Sequence, residues 1–235
     1  VLLVVVTMTM ARGPDEEALI VRALRHVSDA GFPIVACDGG SRAEFVEDLR
    51  ALPRTTLLLS PARGLIAQIT HAVATAVDRG ATRIFYTEPD KDVFLEQHAT
   101  RFLEAARQNA DAVCVAARTA SALATFPSIQ QFTERTINTL ISDVVGVSGD
   151  YSYGPMLLPP QAAKYALQAP EHIGWGWRHF VLARAHRAGI PVALQTGEYE
   201  CPPAQRQDTG TERIHRLRQL AQNVEGLLAG LTFVD

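Results

Sequence analysis

Short apolar runs rich in valine, isoleucine and leucine alternate with stretches of helical periodicity along the first half of the chain. Residues 1–7, 33–37, 55–59, 83–86 and 112–116 read as strands, and 16–30, 41–51, 64–78 and 93–109 as the helices between them. The strands are apolar throughout rather than every second residue, so both of their faces must be covered. This predicts an α/β fold with a mostly parallel central sheet and helices on both faces, a three-layer sandwich. Gly31, Gly80 and Gly189 each follow a helical run and precede a strand, where a left-handed helix cap is wanted.

Beyond residue 117 the rhythm changes. A longer helical stretch at 128–145 leads through a loop at 146–155 to a short strand at 156–158 and a helix at 160–168. After Pro170 come a tryptophan-bearing segment, a helix at 177–188 and a strand at 191–195. A loop rich in proline, glutamine and threonine then precedes an amphipathic helix at 211–228. Neither repeats nor a linker interrupt the chain, which predicts one domain over residues 1–235.

Composition narrows the function. With 235 residues, 47% of them hydrophobic, and a formal net charge of −3, the chain can bury a substantial core and presents no basic stripe for nucleic acid. Cys37, Cys114 and Cys201 are far apart and form no paired motif, which fits a reducing, cytoplasmic setting better than a disulfide framework. The opening apolar run is too short to span a membrane and reads as a buried first strand.

Open parallel sheets bind ligands at the carboxyl ends of their strands. Four segments fall there: Thr7, the turn Asp38-Gly39-Gly40-Ser41, the loop Ser60-Pro61-Ala62-Arg63-Gly64, and the acidic stretch Thr87-Glu88-Pro89-Asp90-Lys91-Asp92. Carboxylates this close repel unless a divalent cation, a proton or a basic partner compensates them, and hard oxygen donors suit Mg²⁺ or Mn²⁺. A solvated loop is the other reading of the same acids. Arg63 beside a helix start could neutralise a diphosphate, or simply lie at the surface. The fingerprints GxGxxG and GxxxxGK[ST] are both absent, which argues against a dehydrogenase or a phosphate-loop ATPase. Farther along, Gly174-Trp175-Gly176-Trp177 offers indole faces that could stack on a sugar or fill a buried corner. Gly149-Asp150-Tyr151-Ser152-Tyr153-Gly154-Pro155 sets a carboxylate and two phenols between glycines.

These segments, in this order, resemble the nucleotide-diphospho-sugar transferases of GT-A fold, especially family 2 glycosyltransferases, over residues 1 to about 200. The resemblance implies a nucleotide-binding half at 1–117 and an acceptor-side half with the C-terminal helix at 118–235. It also implies a metal-dependent transfer of a sugar from a nucleotide-diphosphate sugar to a small-molecule, glycan or lipid-linked hydroxyl acceptor. By position, Thr7, Asp38, Gly39, Arg63, Gly64 and Thr87 fall on the nucleotide side. Glu88 and Asp90 hold the divalent metal, Mg²⁺ or Mn²⁺, and Tyr151, Tyr153, Trp175 and Trp177 face the acceptor. His215, in Arg213-Ile214-His215-Arg216, is similar in context to a further metal ligand of retaining relatives that build glucosyl- or mannosyl-glycerate compounds.

Two departures stand out. The acidic motif reads Glu-Pro-Asp rather than Asp-x-Asp, and no Glu-Asp pair marks the late helix where inverting members keep their base. Either Asp150 or Glu171 supplies the base, or the reaction retains configuration without one, or catalysis has been lost. A sugar-phosphate nucleotidyltransferase and a non-catalytic nucleotide-sugar-binding module are the alternatives. A homodimer is compatible with this reading.

Overall fold

The computed structural model describes residues 2–234. Its strands and helices run in the order β1 (Leu3–Thr9), α1 (Pro14–Asp29), β2 (Ile34–Asp38), α2 (Ala43–Arg50), β3 (Thr55–Leu59), α3 (Leu65–Asp78), β4 (Arg83–Tyr86), α4 (Asp92–Gln97), α5 (Ala99–Ala106) and β5 (Val113–Arg118). The second half adds α6 (Ala120–Leu123), α7 (Ser128–Val145), β6 (Met156–Leu158), α8 (Pro160–Ala166), α9 (Trp177–Arg187), β7 (Val192–Gly197) and α10 (Gly210–Thr232).

Among the described residues, seven strands form one sheet in the order β3-β2-β1-β4-β6-β5-β7, and only β6 runs antiparallel to its neighbours. Helices cover both faces, as the continuous apolar strands require. Val5, Ile34, Ala36, Phe85, Cys114 and Leu157 point into one core with Leu24, Phe45, Phe94 and Phe102. Val4, Val6, Val35, Ile84, Val113 and Met156 point into the other with Ile69, Ile137, Trp177 and Phe180. The alternation of neighbouring residues between two apolar cores is the physical signature of a sheet buried on both sides.

Several boundaries differ from the sequence reading. The first strand continues through Thr9, so Thr7 lies inside β1 rather than at its exit. The helix expected over 93–109 is two helices, broken where His98 leaves helical geometry (φ −124°) and its ring settles between Phe94 and Tyr199. Gly31, Gly80 and Gly189 do adopt positive φ at their helix ends. α10 lies against α9 and the 3-10 segment Glu171–Gly176 at a separation only glycine permits, since a Cβ on Gly226 would sit 2.1 Å from the Gly176 carbonyl oxygen. Among the described residues, no helix is long and apolar enough to cross a membrane.

Candidate functional site at the carboxyl edge of the sheet

Strand register brings the relevant loops together. Thr9 pairs with Asp38, Asp38 with Leu59, Val6 with Tyr86, and Tyr86 with Met156. The exits of β1, β2, β3 and β4 and the segment leading into the reversed strand β6 therefore share one edge.

Asp38 is almost fully buried, and both carboxylate oxygens are taken up locally. Oδ1 accepts from the amides of Gly40 (2.9 Å) and Ser41 (2.8 Å), while Oδ2 accepts from the hydroxyls of Thr9 (2.9 Å) and Ser41 (2.7 Å). Asp38 thus shapes the turn. Gln68 of α3 braces the same corner, donating to the carbonyls of Thr9 (2.8 Å) and Cys37 (3.0 Å), and it packs so closely on Gly39 that a Cβ there would stand 2.7 Å from its amide nitrogen. Thr7 donates to the Thr87 carbonyl (2.8 Å), tying β1 to the acidic loop from within the core. Arg63 is exposed, next to Gly64 at the start of α3, where the first amides of the helix have no intrahelical partner.

The three acids after β4 have three different surroundings. Glu88 is buried, with Oε1 3.2 Å from Nη1 of the buried Arg178, and Oε2 has no hydrogen-bond partner among the described residues. Gly154 backs this carboxylate: a Cβ there would lie 2.0 Å from Oε2, and the residue's φ of 129° suits glycine alone. Asp90 is half-exposed, with Lys91 Nζ 3.6 Å from its Oδ1. Asp92 is committed elsewhere, accepting from Arg22 Nε (2.9 Å) and lying 3.5 Å from His26, both on α1. It ties α4 to α1.

Glu88 Oε2, Asp90 Oδ1 and Asp92 Oδ1 have no hydrogen-bond partner among the described residues; with Asp92 drawn to Arg22 through its other oxygen, Glu88 and Asp90 offer the hard donors a Mg²⁺ or Mn²⁺ ion takes. No three His, Cys, Asp or Glu side chains among the described residues gather closely enough to hold a metal unaided. Such ions commonly use one or two carboxylates and complete their shell with substrate phosphates and water, so the residues fit a site finished by a diphosphate. His215 stands on the first turns of α10. Its side chain is exposed by area, yet partial desolvation, followed by the nearby Arg216 charge, holds its pKa below the ordinary imidazole value.

Asp150 is the centre of a buried ion cluster. Its Oδ2 accepts from the Arg118 amide (3.0 Å) and Nε (2.7 Å), and its Oδ1 accepts from Arg118 Nη2 (3.0 Å), Asn138 Nδ2 (2.8 Å) and the Ser152 amide (3.1 Å). Arg118 also donates to Glu134 (2.5 Å) and lies over the rings of Phe126 and Tyr153. Burial by itself would raise the Asp150 pKa, but the Arg118 guanidinium outweighs it and holds the carboxyl below its usual range. As placed, Asp150 has no lone pair free for an acceptor hydroxyl. Glu171, the other candidate base, is exposed in the 3-10 segment.

Of the aromatic candidates, Trp177 is wholly buried with its ring edge-on to Tyr86 at 4.7 Å, which makes it a core residue here. Tyr151 is also buried and donates to the Val147 carbonyl (2.5 Å). Tyr153 stacks on Tyr199 at 5.1 Å beneath Lys91, and Trp175 is half-buried. Arg118, Glu134, Asn138, Gln68 and Arg178 were not singled out from the sequence. Arg178 belongs to α9, where every residue from Trp177 to Ala185 is buried, so no amphipathic pattern marked it.

His179, next on α9, is completely buried, and neither ring nitrogen has a hydrogen-bond partner among the described residues. Burial first, and the Arg178 charge second, push its pKa from 6.5 down to about 3. Below pH 6.5 the unfolded chain therefore binds a proton that the folded chain refuses, so stability is greatest above that pH and declines as pH falls toward 3. The slope is about 1.4 kcal/mol per pH unit, or about 2 kcal/mol between pH 7 and pH 5. Urea midpoints over this range should show the loss, and His179→Leu should flatten it. Parallel curves for the two proteins would refute the assignment.

No protein-family profile matches the chain, and no curated protein does. Solved structures do. Glucosyl-3-phosphoglycerate synthase from Mycobacterium tuberculosis, in complex with Mn²⁺, UDP and phosphoglyceric acid, superposes with a TM-score of 0.69 at 12% identity over 99% of this chain and 79% of its own. Its complex with Mn²⁺, UDP-glucose and phosphoglyceric acid gives 0.69 at 12% identity, covering 99% and 80%. A further mycobacterial protein gives 0.67 at 11% identity, covering 99% and 76%. Similarity at this level of identity is similarity of fold, and it agrees with the GT-A arrangement expected from the sequence.

Proposed function

We propose that this chain is a glycosyltransferase that moves a sugar from a nucleotide-diphosphate sugar to the hydroxyl of a small-molecule acceptor, assisted by a divalent metal ion. The observation that carries the reading is the acidic loop after β4, at the same sheet edge as the Asp38 turn and the Arg63-Gly64 loop. The chain around it superposes over nearly its whole length on structures that hold UDP and Mn²⁺.

In this reading the Asp38 turn, with Gly39 held against Gln68, forms the wall for the nucleoside. Thr7 and Thr87 fix the height of the acidic loop. Arg63 and the free amides beyond Gly64 receive the diphosphate. Asp90 and Glu88, through Oε2, are the residues that would hold the metal, with the diphosphate completing its shell; His215 does not gather with them among the described residues, and Mn²⁺ is the first ion to test. When bound, the ion offsets the negative charge that grows on the departing diphosphate. Trp175 and Tyr153 border the acceptor side. Because Asp150 is saturated by Arg118 and Asn138, it is not free to serve as the base, which supports transfer with retained configuration; Glu171 is the carboxylate left for an inverting reaction.

A thermal-shift screen of nucleoside diphosphates and nucleotide sugars, with and without Mn²⁺, tests the reading, because a ligand that binds only the folded state raises its stability. A flat response to every donor would overturn it. With a donor in hand, Asp90→Asn should lower turnover about 10²-fold, whereas Asp92→Asn should leave turnover within about threefold. Asp92 is occupied by Arg22 and His26, so an equal loss in both variants would sink the assignment. The saturation of Asp150 also suits a non-catalytic nucleotide-sugar-binding module. Metal-dependent donor binding without transfer or hydrolysis would favour that alternative.

A further inference from the structure

α10 is amphipathic twice over. One face, with Asn223, Gly226, Leu227 and Gly230, is buried against α9 and the 3-10 segment. The outward face is exposed yet apolar: Ile214 and Leu217 are each 55% exposed, Val224 39% and Leu228 52%, with exposed Ala221 between them. These positions follow one another at intervals of three, four, three and four residues, which is the spacing of a coiled-coil seam rather than of a solvated helix. The stripe covers roughly 20 Å of helix.

From this pattern we infer that α10 pairs, antiparallel and about a two-fold axis near Ala221, with α10 of a second copy of this chain. Two features select that occupant. The first is the near-palindromic order of the seam: a small residue at the centre allows close approach, and two larger apolar residues flank it on each side, so the stripe is complementary to its own reverse. The second is charge. Arg218 and Glu225 are exposed on one flank of the seam, seven residues apart. Antiparallel pairing sets Arg218 of each copy beside Glu225 of the other, twice by symmetry, whereas parallel pairing would set Arg213 beside Arg218. Within one copy, among the described residues, Glu225 has the exposed His172, 3.6 Å away, to displace.

The test is sedimentation equilibrium on the whole chain, with circular dichroism confirming that each variant is folded. The wild-type chain should be dimeric at micromolar concentration, and Leu217→Lys should be monomeric. Arg218→Glu and Glu225→Arg should each weaken the dimer about tenfold or more, and the double exchange should restore it. Ala221→Cys should form an intermolecular disulfide at the two-fold axis, on a chain whose native cysteines are all buried. A folded monomer at 100 µM overturns the proposal. So does a dimer indifferent to Leu217→Lys, or charge variants that are not rescued in combination; each of these would assign the stripe to another segment or another protein.

Discussion

Replacing Arg118 by methionine should destabilise the protein by about 3–5 kcal/mol, because it strands two carboxylates in a place water does not reach. Arg118 has no exposed side-chain surface, and among the described residues it is the cation paired with both Asp150 and Glu134. The loss is asymmetric. Methionine can refill much of the volume over the Phe126 ring, but it leaves Asp150 with donors only from Asn138 and the Ser152 and Arg118 amides. Adding Asp150→Asn should therefore recover part of the stability, since removing a charge costs less than leaving it unpaired. Chemical denaturation of the single and double variants reads this directly. A single-variant loss below 1 kcal/mol would mean that the cluster is hydrated and not the closed unit described.

Arg178→Met should cost a similar 3–5 kcal/mol, for a reason closer to the proposed chemistry. Arg178 and Glu88 are both buried, and the wall at Gly154 leaves the Glu88 carboxylate little room to turn toward water. Without the guanidinium, Glu88 would need another cation. If the acidic loop does take up a divalent ion, the cost of Arg178→Met should shrink when Mn²⁺ and a nucleoside diphosphate are added, and the variant should show a larger thermal shift with these ligands than the wild-type chain. Equal shifts would show that Glu88 and the ligand site are energetically separate. The double variant Arg178→Met, Glu88→Gln should lie nearer wild-type stability than either change alone.

What could be read from the sequence was whatever depends on local pattern. Continuous apolar runs gave a sheet covered on both faces, and the strand at 83–86 leading into Thr87, Glu88 and Asp90 marked the edge where the candidate site lies. Partnerships between distant residues were hidden. Asp150 looked like a free acid between glycines, yet its partners Arg118 and Asn138 lie 32 and 12 positions away. Glu88 and Asp90 looked equivalent, and it is Arg178, on a helix buried on all sides, that makes them differ. Trp177 offered the same ring to a sugar or to a core, and contact with Tyr86 decides for the core in this fold. The reversed direction of β6 was equally illegible, because a three-residue apolar strand carries no mark of its orientation.

That reversed strand has a consequence for how the chain is assembled. β4 and β5 are consecutive strands in sequence but are not neighbours in the sheet; the gap between them is closed by three residues that arrive about forty positions later. Until 156–158 are in place, the left and right portions of the sheet have no shared hydrogen-bonded ladder, and Tyr86 and Val115 each face an empty lane. Gly154, just before this closing strand, is the residue that backs the Glu88 carboxylate. The strand that joins the β1–β4 ladder to the β5–β7 ladder is therefore also the one whose lead-in sets the glycine behind Glu88.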